Sequence, residues 1–138
     1  MSTAISKNAR TPLLEIQGAV FQRLSAELDT PVYDYVPESA PHPYVVIGEA
    51  TEIPDNTLDN FGRETTLTLH IWTQGRQGFV DALTISDEIQ EILDHQRDLS
   101  LTNHRIVVIK LDQVLTMKDP DPTIRHVPMR FRICTEQN

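Results

Sequence analysis

Hydrophobic and polar positions alternate most clearly between Arg63 and Thr73, where Leu67, Leu69 and Ile71 interleave with Thr66, Thr68, His70 and Trp72. A period of two predicts a half-buried β-strand, one face inward and the other, bearing threonines and two polar-tipped rings, toward water or a partner. Elsewhere the period lengthens. Thr11 before Pro12 reads as an N-cap with proline in the first turn. From there Leu13, Leu14, Ile16, Val20, Phe21, Leu24 and Leu28 share one side of a helical wheel, and Asp29-Thr30-Pro31 ends the helix. Val32–Val36 reads as a short strand closed by Pro37, and the proline-rich 37–43 segment as a stiff connection. Residues 43–49 are apolar on both faces, as in a central strand, with Gly48 permitting a close approach or a bulge. A polar loop is expected over 51–62 and a glycine turn over 73–78. A second helix follows from Phe79, with Phe79, Ala82, Leu83, Ile85, Ile89, Ile92 and Leu93 inward and Asp87, Glu88 and Glu91 outward.

After an Asn103-His104 turn, Arg105–Met117 reads as one strand with Val107, Ile109, Leu111, Leu115 and Met117 on a shared side. Asp119-Pro120-Asp121-Pro122 breaks it. The last strand sets Val127, Met129, Phe131 and Ile133 against His126, Arg130 and Arg132. The resulting class is α/β in the α+β sense, order α-β-β-β-α-β-β, with two amphipathic helices on one face of a mainly antiparallel sheet. Residues 1–11 are expected as a mobile arm and 12–138 as a single domain.

Composition narrows the function. The 138 residues, 39% hydrophobic and 23% charged, suffice for one core, and no apolar run approaches the ~20 residues of a membrane span. The polar start MSTAISKNAR lacks the apolar block of a signal peptide, so synthesis in the cytoplasm without export is expected. Cys134 is the only cysteine, which excludes a disulfide framework. Twenty acids against twelve bases give a net charge of −8. That balance opposes the counterion release on which duplex binding depends.

Chemistry is sparse. No phosphate loop, dinucleotide turn or nucleophile elbow occurs. His42, His70, His95, His104 and His126 fall on different elements without metal-ligand spacing, so neither metal nor cofactor is expected. Asp119 and Asp121 are first of all turn formers. Surface recognition is left. The 49–64 stretch carries Glu49, Glu52, Asp55, Asp59 and Glu64 against Arg63; it reads as a solvated loop or, more sharply, a partner-facing one. Arg76 marks the 73–78 turn. Arg125, Arg130 and Arg132 form a local basic cluster able to meet an acidic helix face of this chain or of a neighbour. Trp72, the only tryptophan, lies on the polar strand face, where interface burial and partial coverage are equally open.

Taken together, Leu14–Phe21, the Pro41-His42-Pro43-Tyr44 run to Glu49, Thr68–Thr73, Gly78-Phe79 before an Ile/Leu helix, and Asp119–His126 leading to Arg130-Phe131-Arg132 resemble phage tail completion proteins. These are the tail terminator or head–tail joining proteins of long-tailed phages and prophages. The resemblance spans about residues 12 to 136. It implies two helices on one side of a mainly antiparallel sheet, no catalytic residue, and a ring, usually of six subunits, at the head–tail interface of the virion. Its partners would be further copies of the chain, the tail tube protein and the head connector, with DNA as passing cargo. Glu49, Glu52, Asp55, Asp59, Arg63, Trp72, Arg76, Asp119, Asp121, Arg125, Arg130 and Arg132 are then candidate interface positions. Another ring subunit of the tube or connector is the alternative, and a small ligand-binding domain or enzyme a more distant one.

Overall fold

Gly62–Gln74 (β3) and Ile124–Gln137 (β6) pair antiparallel without interruption, from Gly62 opposite Glu136 to Gln74 opposite Ile124. Alternation on both strands puts Leu67 opposite Phe131, Leu69 opposite Met129 and Ile71 opposite Val127 on one face. All six are essentially inaccessible to solvent. The computed structural model describes residues 8–76 and 78–138; most of the expected N-terminal arm, residues 1–7, and Gln77 of the glycine turn lie outside them. Tyr44–Pro54 (β2) pairs antiparallel with β3, and Val32–Tyr33 (β1) runs parallel beside β2. His104–Val114 (β4) flanks β6, and Met117–Lys118 (β5) also pairs with β6. The sheet order is β1-β2-β3-β6-β4.

Leu13–Glu27 (α1) and Val80–Leu93 (α2) cover the apolar face. Ile16, Val20 and Leu24 from α1 meet Ala82, Ile85, Ile89 and Leu93 from α2 over the β3–β6 core. This is the expected α+β architecture. Among the described residues no helix is long and apolar enough to cross a membrane.

Several details depart from the sequence pattern. The loop expected over 51–62 shrinks to 55–61, because Thr51–Pro54 continue β2 against Arg63–Thr66; polar side chains suit a solvent-facing ladder. In β4, register shifts between Ile106 and Val108 and between Leu111 and Gln113 break the alternation. Ile106 and Ile109 therefore face the core, while Val107, Leu115 and Met117 are at least 40% exposed. Leu14, 80% exposed, Phe21, 37%, and Leu83, 42%, stand at the margins of the helical apolar bands and face outward.

Two ties were not legible in the pattern. Glu15, placed opposite the apolar face of α1, accepts from Asn103 N–H and from His104 Nδ1, each at 2.5 Å. His104 is almost fully buried, and its Nε2 lies 3.1 Å from Arg10 O. Burial alone would raise the Glu15 pKa, but the Asn103 and His104 hydrogen bonds and the His104 charge outweigh it and hold the carboxyl below its ordinary range. At the edge of β4, Leu111 N–H donates to Asp94 Oδ1 at 2.8 Å and His95 N–H to Ile109 O at 2.8 Å. His95 adopts φ 60°, the left-handed conformation common just past a helix C-terminus, and this aims its N–H at the strand.

Core placement predicts that Leu69→Ala or Ile89→Ala costs roughly 2–5 kcal/mol, whereas Thr68→Ala on the opposite face changes stability by about 0.5 kcal/mol or less. Chemical denaturation measures both, and a larger loss for Thr68→Ala would mean the β3 faces are reversed. Thr65 and Thr135 are buried with hydroxyls that find no hydrogen-bond partner. Thr65→Val, of the same shape without the hydroxyl, is expected to stabilise the fold by about 1 kcal/mol; a lower melting temperature would show that the hydroxyl is satisfied.

Candidate functional site

Among the described residues no helix covers the second face of the sheet. It presents Thr66, Thr68, His70 and Trp72 of β3 beside Arg132, Arg130, Pro128 and His126 of β6, in register. At its centre lies a chain of hydrogen bonds set up by one irregularity in β2. The β2–β3 register shifts between Ile47 and Ala50, and a Cβ at Gly48 would stand 2.5 Å from His70 Cδ2. Glycine therefore lets the imidazole lie against the β2 backbone, and the bulge brings Glu49 Oε1 to 2.6 Å from His70 Nε2. His70 Nδ1 in turn lies 2.7 Å from His126 Nε2. Trp72 stacks on His126, ring centroids 3.9 Å apart and planes 6° from parallel.

Proton counting fixes the roles. A neutral His70 donating from Nε2 to the Glu49 carboxylate has only a lone pair at Nδ1, so His126 must donate to it from Nε2. Two N–H groups cannot share a 2.7 Å contact, so both rings cannot be fully protonated together. Burial, then the neighbouring His70 charge, push the His126 pKa below its ordinary value of 6.5, with Asp119 and Glu49 opposing. The hydrogen bond from His70, above all, holds the Glu49 carboxyl below the usual carboxylate range.

Lower on this face Arg130 Nε pairs with Asp112 at 2.9 Å. Arg132 Nε lies 3.2 Å from Glu64 Oε1, close enough for an ion pair but too oblique for a hydrogen bond. Such exposed pairs are worth about 0–1 kcal/mol each. Their acids come from strands of the same face, not from a helix. A shallow depression of about 180 Å³ here is lined by Glu49, Thr68, Gln113, Leu115, Pro128 and Arg130. It holds no nucleophile–base pair and no paired carboxylates, and among the described residues no His, Cys, Asp and Glu side chains converge as a metal site.

The other candidates disperse. Arg125 is separate from Arg130 and Arg132: its Nη1 donates to Pro122 O at 2.6 Å, and its guanidinium lies 5.4 Å from the Phe79 ring centroid. Glu52 and Arg63 pair at 3.4 Å within the β2–β3 ladder, and Glu52 also accepts from Thr11 at 2.6 Å. Asp119 and Asp121 build the turn they were read as, accepting from Asp121 N–H and Thr123 N–H at 3.0 and 2.9 Å. Gly75 N–H donates to Thr123 O at 2.8 Å, so the Arg76 turn and the 119–125 loop share one end of the sheet. Asp55 and Asp59 are exposed at the other end, in the hairpin between β2 and β3. The tip of that hairpin is Leu58, fully exposed, which charge counting alone passed over.

The shifted groups give a pH dependence of definite sign. His126 binds its proton less readily folded than unfolded, so the unfolded chain takes up protons first and stability falls as pH drops below about 6.5. Glu49 and Glu15 add a further loss as pH falls below their ordinary 4.5. Melting temperature against pH should show the upper step in the wild type and not in His126→Gln.

Residues 18–136 match the family model described as tail completion protein gp17. The chain is 30% identical over 98 residues to the tail completion protein gp17 of Bacillus phage SPP1, covering 71% of each chain. Its fold is shared with a chain from the virion of a native gene transfer agent particle, with a TM-score of 0.83, 22% identity, and coverage of 93% of this chain and 99% of that one. With the family model matching most of the chain and this relative 30% identical, the chain belongs to the tail completion protein gp17 family, structural proteins of the phage virion tail and not enzymes.

Proposed function

We propose that the protein is a tail terminator: copies close into a ring, the six-membered ring that the family resemblance implies, that ends growth of the tail tube and joins it to the head connector around the DNA channel. The observation that carries this reading is the division of the candidate loops between opposite ends of one sheet. The 55–61 hairpin, with Asp55, Leu58 and Asp59, occupies one end. The Arg76 turn and the 119–125 loop occupy the other, tied by the Gly75–Thr123 hydrogen bond. A ring of such subunits has two chemically different rims, one for the last tube ring and one for the connector, so assembly stops when both are engaged. Net charge −8 favours a channel that DNA crosses without being held.

Exposed loop positions make the test clean, because their replacement leaves the core intact. Asp55→Lys with Asp59→Lys, and separately Leu58→Ser, should leave stability within about 0.5 kcal/mol while lowering the yield of joined particles roughly tenfold or more. Electron microscopy of tails from the same lysates locates the protein. A ring at one end of the tube agrees with the reading; labelling along the whole tube would make the chain a tube subunit, and normal joining in both variants would remove this hairpin from the interface.

A further inference from the structure

Resting on the ring reading, we propose that neighbouring copies meet edge to edge, with the exposed arm at 112–118 of one copy seated in a depression around Gly18 on α1 of the next. Four observations converge. First, the two surfaces lie at opposite edges of the sheet order β1-β2-β3-β6-β4: α1 packs over β1 and β2, while residues 112–118 run along the far edge beside β6, as the end of β4 and then β5. A contact between different patches at opposite edges is the head-to-tail kind that can close a ring.

Second, both surfaces expose large apolar side chains to solvent. Every residue from Asp112 to Lys118 is exposed, including Leu115 at 45% and Met117 at 43%. On α1, Leu14 is 80% exposed and Phe21 37%, and with Gln17, Gly18 and Asp34 they line a depression of about 290 Å³. Third, no contact among the described residues requires a glycine at position 18. It sits in the middle of a helix, where glycine is less favourable than alanine, yet an added Cβ would meet nothing within 4 Å. A glycine that no contact among the described residues demands, set between two exposed large side chains, fits a floor on which a neighbour's side chain rests.

Fourth, the charges are complementary. Lys110 precedes the arm and Lys118 ends it, and neither forms an ion pair among the described residues. Asp34, exposed, lines the α1 depression. Leu115 and Met117 would fill the apolar floor while Lys118 meets Asp34.

Disulfide trapping tests the contact on the full chain. In a Cys134→Ala background, Gly18→Cys and Leu115→Cys are made singly and together and oxidised at a concentration where the wild type forms rings, alone or on tail tubes. The double variant should give a ladder of covalent oligomers ending at the ring size. A mixture of the two single variants should stop at covalent dimers, and each single variant alone should stay monomeric. Gly18→Trp, which fills the depression on an exposed helix face, should keep the melting temperature and abolish the ring, and Leu115→Asp should do the same. Rings that form normally in both fill-in variants, with no ladder in the double-cysteine protein, would overturn the contact and leave the ring standing. Dimers from either single variant would replace it with a symmetric contact. Wild-type protein that never forms a ring, in solution or on tails, would overturn the ring reading and this contact with it.

Discussion

The structure depends on the uninterrupted pairing of β3 with β6. Both strands alternate strictly, so their ladder has one apolar and one polar face from end to end. A slip of one residue would exchange every inward side chain for an outward one, placing Arg130 and His70 under the helices and Leu69 and Met129 in water. That cost fixes the register. With the central ladder fixed, the helices have only one surface to cover, and the second face is left polar and uncovered.

Sequence pattern reads such elements well because alternation is a local property with a single physical cause. The faces of β3 and β6, the two helices and their order follow from it. It fails where the backbone is irregular. Two register shifts in β4 moved Val107 outward and Ile106 inward, and nothing in the order of apolar residues marks where an extra residue enters a ladder. Thr51–Pro54 read as loop because polar residues on a solvent-facing strand look like loop residues one at a time. Helical periodicity likewise gave the direction of each apolar band but not its width, so Leu14 and Phe21 were assigned inward when the sheet beneath α1 has room for Ile16, Val20 and Leu24. Pairs such as Glu15 with His104, far apart in the chain, carry no local signal at all.

The candidate surface divides the same way. The turn-forming Asp119 and Asp121, and the exposed Asp55 and Asp59, were legible from residue type. The Glu49–His70–His126 chain was not, because it needs the Gly48 bulge and a cross-strand neighbour to bring three separate elements together. It is a polar device on the open face: it orders one face of a tail protein by giving both His70 ring nitrogens and His126 Nε2 a partner, and Trp72 stacks over its end.

One small feature at the free edge has a wider effect. Asp94 and His95 occupy the outward hydrogen-bonding groups of Leu111 and Ile109, so β4 cannot accept a further strand at those positions. An uncapped edge of this length would be open to sheet extension from chain to chain, which has no fixed end and leads to fibrils. By occupying two backbone groups, the turn after α2 confines association at this edge to side chains, whose shape and charge can specify a number of copies where continuous backbone pairing cannot.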